Sequence, residues 1–282
     1  MTALAPILRE LLARREPAAL IEVAAIKGSA PRETGARMLV TAVSSYGTIG
    51  GGRLEWDATR RARALLEDGE PAAVMELPLG PEIGQCCGGF VSLRLRRADD
   101  AIRAELEAIE QEEGEKLPLV LLFGAGHVGK ALASALAPLP LRVRWIDARA
   151  GEFPDPPIPG PEVVITERVL AEAEKAPAGA AYLVLTHSHA LDSMICAAVL
   201  QRGDFAYLGL IGSRTKRARF ERGFRELGIP KQRIARLVCP IGGDRIRDKR
   251  PAVIAALTAA ELIHALTHPA ANGQPRSTGE AA

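Results

Sequence analysis

Cysteine is scarce in this chain, which has four among its 282 residues: Cys86, Cys87, Cys196 and Cys239. That number is too small for the disulfide framework of a small secreted domain. The spacings also do not form the pair of C-x-x-C motifs that zinc knuckles use. A reducing compartment fits this composition, and we expect the protein to be cytoplasmic.

Neither sign of charge is in clear excess. The 36 basic and 34 acidic residues are interspersed and leave a net charge of +2, so nothing favours nucleic acid or an anionic membrane as a partner. Long apolar runs are also missing, since none approaches the roughly 20 residues that cross a bilayer. The N-terminal stretch alternates apolar and charged residues at helical spacing and contains Glu10 and Glu16, unlike a secretory signal or a transit peptide. We therefore expect a soluble protein.

Apolar residues make up 48% of the chain, enough to bury the cores of one large or two ordinary domains. A charged, helix-prone segment that ends with Gly114 and Pro118 separates two regions of different pattern. The predicted organisation is a first domain over residues 1–97, a helical, charged linker over 98–118, a second domain over 119–268 and a disordered tail over 269–282.

The two regions predict different folds. Before residue 97, strand-like runs separated by Gly and Pro turns accompany one helical stretch, a pattern typical of a small α+β domain. After residue 118, five short β-rich runs are mostly separated by helical stretches: "LVLLF", "LRVRWID", "EVVIT", "AYLVLT" and "FAYLGLI". This alternation predicts a Rossmann-like, doubly wound parallel sheet, so the expected class is α/β with a smaller α+β domain in front.

A glycine motif follows the first strand of the second region. "LVLLF" runs into Gly124-Ala125-Gly126-His127-Val128-Gly129, a G-x-G-x-x-G turn that opens a predicted helix. Gly124 would make the tight turn, and Gly126 would let backbone N–H groups at the helix N-terminus approach a phosphate. Asp147 ends the next strand, 23 positions beyond Gly124, and would accept from a ribose or similar diol. The alternative is a glycine turn that serves packing alone.

Two histidines follow a later strand, in Thr186-His187-Ser188-His189-Ala190-Leu191-Asp192. Open α/β sheets bind ligands at the carboxyl ends of their strands, where this segment is predicted to lie. On an extended segment His187 and His189 would point the same way and could hold a metal or donate to an oxyanion. Asp192 is either part of this site or a first-turn acid of the next helix, and both histidines also admit a structural role.

A basic turn follows the next predicted strand. Gly212, Ser213, Arg214, Thr215 and Lys216 combine a hydroxyl, exposed N–H groups and two cations, which suits an anion such as a phosphate. An ordinary N-capped helix with a solvated basic face is the alternative. Cys196 and Cys239 are predicted to be buried.

In the first region, glycine is dense around "GSAPRETGARM" and "GTIGGGRLE", where Arg32 is a candidate binding residue. Glycine at this density brings backbone close to a ligand or to another strand. "GQCCGG" adds the adjacent Cys86 and Cys87. Their Cα atoms would lie about 3.8 Å apart, below the usual disulfide range of about 4.4–6.8 Å, so a reversible disulfide between them is disfavoured. On an extended segment only one of the two would face a given pocket.

Seven motifs stand in order along the chain: "GSAPRETGARMLV", "GTIGGGRLE", "GQCCGG", "LFGAGHVGKALA", "THSHALD", "DFAYLGLIGSRTKRARF" and "CPIGG". Together they resemble the XdhC/CoxI family, whose members are accessory proteins for the maturation of molybdenum hydroxylases such as xanthine dehydrogenase. The resemblance covers about residues 20–262. It implies a small N-terminal domain with the C-G-G motif and a Rossmann-like C-terminal domain.

The resemblance also implies a function. A member of this family is expected to be a cytoplasmic homodimer that binds molybdenum cofactor, as Mo-molybdopterin or its dinucleotide form. It holds the cofactor while a cysteine desulfurase supplies the terminal sulfido ligand, works beside cofactor-biosynthesis proteins, and delivers the cofactor to the hydroxylase. No turnover of its own is expected.

On the family match, Cys87 directly before Gly88 and Gly89 is the candidate molybdenum ligand or transient sulfur carrier. Cys86 is a feature of the xanthine dehydrogenase-like branch. A soft thiolate suits a sulfur-rich metal centre, and a structural thiol in a turn is the alternative. For the whole chain, the alternative function is an NAD(P)-dependent oxidoreductase with His187 or His189 as its acid/base.

Overall fold

A computed structural model of the protein describes residues 3–79, 89–243 and 248–268. The chain divides into two compact units, Met1–Glu115 and Lys116–Ala282. The first contains an antiparallel sheet and the second a parallel one, which confirms the predicted fold class. The predicted tail over 269–282 lies outside the described residues.

The first unit is an α+β fold with five strands. Its elements are α1 (Leu4–Ala13), β1 (Ala18–Lys27), β2 (Arg37–Thr41), β3 (Ser45–Gly47), α2 (Gly52–Asp68), β4 (Ala72–Leu79), β5 (Gly89–Arg97) and α3 (Asp100–Lys116). The strands form an antiparallel sheet in the order β3-β2-β1-β5-β4.

Helices cover both faces of this sheet because strand residues alternate between the faces. Ile21 of β1 packs in one cluster with α2, and Leu20 packs in the other with α1 and α3. The segment expected as a linker, 98–118, contains α3. Ile102 and Leu106 of α3 are buried in the same cluster as α1, so this helix is part of the core of the first unit.

The second unit alternates strands and helices. Its elements are β6 (Leu119–Phe123), α4 (His127–Leu136), β7 (Arg142–Asp147), a 3-10 turn (Ala150–Glu152), β8 (Glu162–Ile165), α5 (Val169–Lys175), β9 (Ala181–Val184), α6 (His189–Arg202), β10 (Tyr207–Leu210), α7 (Arg214–Glu226), α8 (Lys231–Ala235), β11 (Leu237–Val238) and α9 (Pro251–Thr267).

The strands of the second unit form one parallel sheet in the order β11-β10-β9-β6-β7-β8. From β6 the chain builds outward through β7 and β8, then returns and builds outward on the other side from β9. The order therefore reverses between β6 and β9. In open α/β sheets, ligands bind in the crevice outside the carboxyl ends of the strands at such a switch point.

The central strands of this sheet are covered on both faces. All four residues of β9 and of β10 are buried, which explains why these segments read as short continuous apolar runs rather than alternating ones. Helices α4 and α9 pack on one face, and α5, α6, α7 and α8 pack on the other. No helix within the described residues is long and apolar enough to span a membrane.

Substitution of two glycines in the first unit by alanine is expected to have opposite effects on stability. A Cβ at Gly89 would lie 2.1 Å from the carbonyl oxygen of Ser29, whereas one at Gly114 in α3 would meet nothing within 4 Å. We expect Gly89→Ala to lower the free energy of unfolding by roughly 1–3 kcal/mol or more, because backbone must move. Gly114→Ala should raise it by about 0.5–1 kcal/mol, because alanine favours helix. Chemical denaturation of both variants measures this, and equal effects would contradict the packing at Gly89.

Candidate functional site

The glycine turn after β6 is shaped by close backbone packing. Gly124 has a φ of +114°, and a Cβ there would lie 2.3 Å from the carbonyl oxygen of Leu185. A Cβ at Gly129 would lie 2.1 Å from the carbonyl oxygen of Gly124. Both positions therefore require glycine so that α4 can start directly behind the strand.

Gly126 differs from its two neighbours in the motif. It is the N-cap residue of α4 in extended backbone conformation, and a Cβ there would meet nothing within 4 Å. No side chain caps α4, and no acidic residue lies in its first turn. The exposed His127 is the first helical residue. Open space thus lies beside uncapped N–H groups at the positive end of a helix, an arrangement that favours an anion.

Asp147 at the end of β7 holds this turn in place. It is 4% exposed, and its Oδ2 accepts the N–H of Ala125 at 2.8 Å. Arg149 donates to the same carboxylate through its backbone N–H, Nε and Nη2 at 2.9–3.0 Å. Burial alone would raise the pKa of Asp147, but the hydrogen bonds from Arg149 and Ala125 outweigh burial and lower this pKa to about 2. The carboxylate is therefore ionised and fully engaged within the chain.

The neighbouring strand supports the turn a second time. The indole Nε1 of Trp145, a fully buried residue of β7, donates to the carbonyl oxygen of Gly124 at 2.9 Å. Its ring packs edge to face against Phe153, with centroids 4.9 Å apart. Sequence reasoning missed both Trp145 and Arg149 as parts of the site. The position of Arg149, two residues after a strand-ending acid, was the signal available for it.

The loops after β9 and β10 are joined by a buried ion pair. Asp192 is fully buried, and its Oδ2 accepts from Nζ of Lys216 at 2.7 Å. Its Oδ1 accepts both the N–H and the Oγ1 hydroxyl of Thr186, at 2.9 and 2.8 Å. Lys216 also donates to the carbonyl oxygen of Ile211 at 2.9 Å. Asp192 is therefore a buried cross-link in the first turn of α6, while Ser188 caps that helix.

This ion pair changes the role expected of Lys216. Two of the three ammonium protons are used by Asp192 and Ile211, so Lys216 acts chiefly within the chain. The other members of the basic turn lie at the surface: Gly212, Ser213 and Arg214 are exposed. Ser213 caps α7 and accepts the N–H of Lys216 at 3.2 Å.

The two histidines do not lie on one extended segment as expected. His189 is the first residue of α6, and its Nδ1 lies 3.2 Å from Nη2 of Arg219. His187 precedes the N-cap Ser188, and both imidazoles are exposed. Across the described ranges, no group of three or more His, Cys, Asp or Glu side chains is arranged to hold a metal.

The two cysteines of the second unit are buried, as predicted. Cys196 in α6 is completely buried, and burial raises its pKa. Cys239 lies 3.9 Å from the carbonyl oxygen of Ser213. Burial also raises the pKa of Cys239, although Lys216 and Arg217 oppose this. Both thiols are therefore protonated, poor nucleophiles at neutral pH.

The glycine motifs of the first unit come together at one end of its sheet. Gly89, at the start of β5, packs against the carbonyl oxygen of Ser29, and Gly50 packs against Pro31. Glu55 of α2 reaches back and accepts from Thr48 Oγ1 and from the N–H groups of Ile49 and Gly51, at 2.6–3.1 Å. The loop that contains "GSAPRETG" therefore contacts both other glycine segments.

The candidate side chains of the first unit are placed only in part. Arg32 pairs with Glu33 through Nε and Nη2, at 3.2 and 2.9 Å. Cys86, Cys87 and Gly88 lie outside the described residues, so of "GQCCGG" only Gly89 is placed.

In the second unit the register brings the predicted segments to one edge of the sheet. Phe123 is paired with both Ile146 and Val184, and Val184 with Leu210. The glycine turn, Asp147, the histidine loop and the Ser213 turn all follow these residues directly. They therefore lie side by side at the carboxyl edge, around the switch point between β6 and β9.

Comparison with known proteins agrees with this architecture. Residues 120–262 match the XdhC Rossmann domain, and residues 11–77 match the XdhC and CoxI family. A crystal structure described as a xanthine dehydrogenase from Bacillus halodurans superposes with a TM-score of 0.71 at 18% identity, covering 99% of this chain and 98% of that one. At that identity the match shows a shared fold.

An uncharacterised protein of Escherichia coli K12, YqeB, is 29% identical over 252 residues. The match covers 88% of this chain but 43% of YqeB, so this chain spans less than half the length of that relative. The match to the XdhC Rossmann domain by itself spans just over half of the chain. The resemblance seen in the seven motifs is thereby confirmed, and the chain belongs to the XdhC and CoxI family.

Proposed function

We propose that this protein is a maturation factor for a xanthine dehydrogenase-type molybdenum hydroxylase. It binds molybdenum cofactor, holds it while a cysteine desulfurase supplies the terminal sulfido ligand, and delivers it to the hydroxylase. The cofactor is cargo in this scheme, so the chain binds, orients and shields it rather than turning it over. Family membership supports the hydroxylase partner, whereas the desulfurase, cofactor-biosynthesis proteins and a homodimeric state belong to the proposal.

The observation that carries the proposal is the open anion position at Gly126. The cofactor is a pterin dithiolene that ends in a phosphate, so its carrier needs a phosphate site. At Gly126 the N–H groups of α4 have no side-chain cap, and a Cβ added at this residue would meet nothing within 4 Å. The dipole of α4 adds a partial positive charge at that point. Ser213 and Arg214 at the start of α7 lie at the same sheet edge.

The sulfur-rich end of the cofactor needs a different kind of ligand. Cys87 is proposed for this role because a thiolate suits a soft, sulfur-bound metal. The proposal gains support from Gly89, which follows Gly88 and packs on the carbonyl oxygen of Ser29. That contact joins the chain beyond the cysteines to the loop that carries Arg32. The loop that carries Arg32 therefore lies against the start of β5.

The test is coexpression with a candidate hydroxylase, in cells that make molybdenum cofactor and in cells that do not. We expect the purified protein to contain molybdenum and pterin only from the first cells, and to raise the activity of the hydroxylase there. Protein without either component and without effect on activity would contradict the proposed function.

Gly126→Asp separates binding from folding. An aspartate fits this N-cap position, since it caps helices well and its Cβ would meet nothing within 4 Å, so the free energy of unfolding should stay unchanged or rise by a few tenths of a kcal/mol. Its carboxylate would occupy the proposed phosphate position, and we expect cofactor retention to fall at least about tenfold, a loss of about 1.4 kcal/mol. Molybdenum and pterin assays measure this.

Gly223→Ala in α7 is the control for that variant, because a Cβ there also meets nothing within 4 Å. It should retain the cofactor as the unmodified protein does. Full retention by Gly126→Asp would show that the phosphate lies elsewhere.

The two adjacent thiols give a further prediction. Cys87→Ala should lower cofactor retention and hydroxylase activation together, because the metal loses its thiolate ligand. Cys86→Ala is the matched control and should have the smaller effect. Molybdenum content and hydroxylase activity measure both variants. Full binding and full activation by Cys87→Ala would refute the ligand role, and a larger effect of Cys86→Ala would reverse the assignment.

A further inference from the structure

Asp147 stands where dinucleotide-binding Rossmann folds carry the acid that binds a ribose. In such folds this acid ends the second strand, about 20 residues after the glycine turn, and accepts the 2′-hydroxyl of NAD. Asp147 ends β7 and lies beside the glycine turn. Position alone would therefore predict that this protein binds NAD, the alternative left open by the sequence.

The hydrogen bonds of Asp147 argue against that reading. A carboxylate offers about four acceptor positions, and four donors already fill them. Oδ1 accepts the N–H and the Nε of Arg149, both at 3.0 Å. Oδ2 accepts the Nη2 of Arg149 at 2.9 Å and the N–H of Ala125 at 2.8 Å. A ribose diol would have no acceptor left on this side chain.

Arg149 is bound by two carboxylates at this place. It lies two residues after Asp147, so little chain has to be ordered to form the pair, and its Nη1 donates to Glu152 at 3.1 Å. The Arg149 side chain is 38% exposed while Asp147 is 4% exposed. The guanidinium therefore covers the carboxylate on its solvent side.

Replacing Arg149 by a nucleotide is energetically unfavourable. A ribose would replace the cationic, bidentate guanidinium by neutral hydroxyl donors. A hydroxyl bond to a carboxylate is also charge-assisted, but Asp147 would lose the charge–charge attraction and the fork geometry of the guanidinium. In NADP-binding folds a nearby arginine accommodates the 2′-phosphate. Arg149 is instead paired with Asp147 and Glu152, so a 2′-phosphate would have to displace one of these carboxylates and would be repelled by both.

We propose that Arg149 is a specificity-determining residue, which occupies the ribose position beside the glycine turn and excludes NAD and NADP from it. The ligand class that remains is a compound that ends in a phosphate at Gly126 and places no nucleoside ribose against Asp147. This inference rests on the proposed function only in taking the glycine turn as the phosphate site.

The experiment is titration of the purified full chain with NADH and NADPH, followed by nicotinamide fluorescence. We expect the unmodified protein to bind both with a Kd above about 1 mM. Arg149→Ala exposes the carboxylate and should bind NADH at least about tenfold more tightly. Arg149→Met, which keeps the aliphatic length without the charge, is measured beside it, and thermal denaturation identifies which variants are folded.

Two controls show whether the gain passes through Asp147. The double variant Arg149→Ala/Asp147→Asn should lose the gain, because its one amide oxygen can still accept the N–H of Ala125 and hold the turn but leaves no acceptor for a diol. Lys130→Ala removes a neighbouring cation that pairs with Glu152 at 3.7 Å and not with Asp147, so it should behave as the unmodified protein.

Tight NADH binding by the unmodified protein would overturn the inference, and so would folded Arg149 variants that gain no affinity. The molybdenum and pterin content of the unmodified protein tests the proposed function separately. Protein that lacks the cofactor but shows the expected NADH pattern would retain the role of Arg149 and lose the proposed function. The reverse pattern would retain the function and refute the role of Arg149.

Discussion

The architecture of the second unit depends on one close approach, in which the backbone of Gly124 packs on the carbonyl oxygen of Leu185. This contact joins the ends of β6 and β9, the two strands where the sheet order reverses. Three further contacts hold the turn: Gly129 packs on the carbonyl oxygen of Gly124, Trp145 donates to the same oxygen, and Asp147 accepts the N–H of Ala125. Because these contacts leave Gly126 beside open space, the rigid part of the motif and the part available to a ligand are different residues.

In the first unit, too, glycines allow segments of the chain to approach each other closely, although its sheet is antiparallel. Gly89 and Gly50 let backbone segments touch the loop that carries Ser29 and Pro31, and the Glu55 carboxylate gathers the donors of the glycine-rich turn. Much of the glycine density in this half therefore serves contacts between segments of the chain. Gly89, the residue that follows the C-C-G motif, begins β5 against the carbonyl oxygen of Ser29.

The sequence predicted the fold class and the segments at the sheet edge because strand runs, glycine spacing and helix starts are local patterns. It did not predict the partners of those segments, since Lys216 and Asp192 are 24 positions apart and meet only after β9 and β10 pair. The sequence predicted that Lys216 binds an anion, because its buried partner Asp192 leaves no pattern near Lys216 in the sequence. The sequence predicted that His189 lies on an extended segment with His187. In the structure Ser188 is the N-cap of α6, so His189 is already the first helical residue. The sequence likewise could not show that Arg149 and Ala125 already use the acceptor positions of the Asp147 carboxylate.

The proposed function requires that this chain bind molybdenum cofactor. The most direct measurement is anaerobic addition of isolated cofactor to the purified protein, then gel filtration and assay of molybdenum and pterin in the protein fraction. A carrier should retain both components in stoichiometric amounts, and excess inorganic phosphate should weaken that retention because the two compete for the N-terminus of α4. Elution of the protein with neither molybdenum nor pterin would contradict the account.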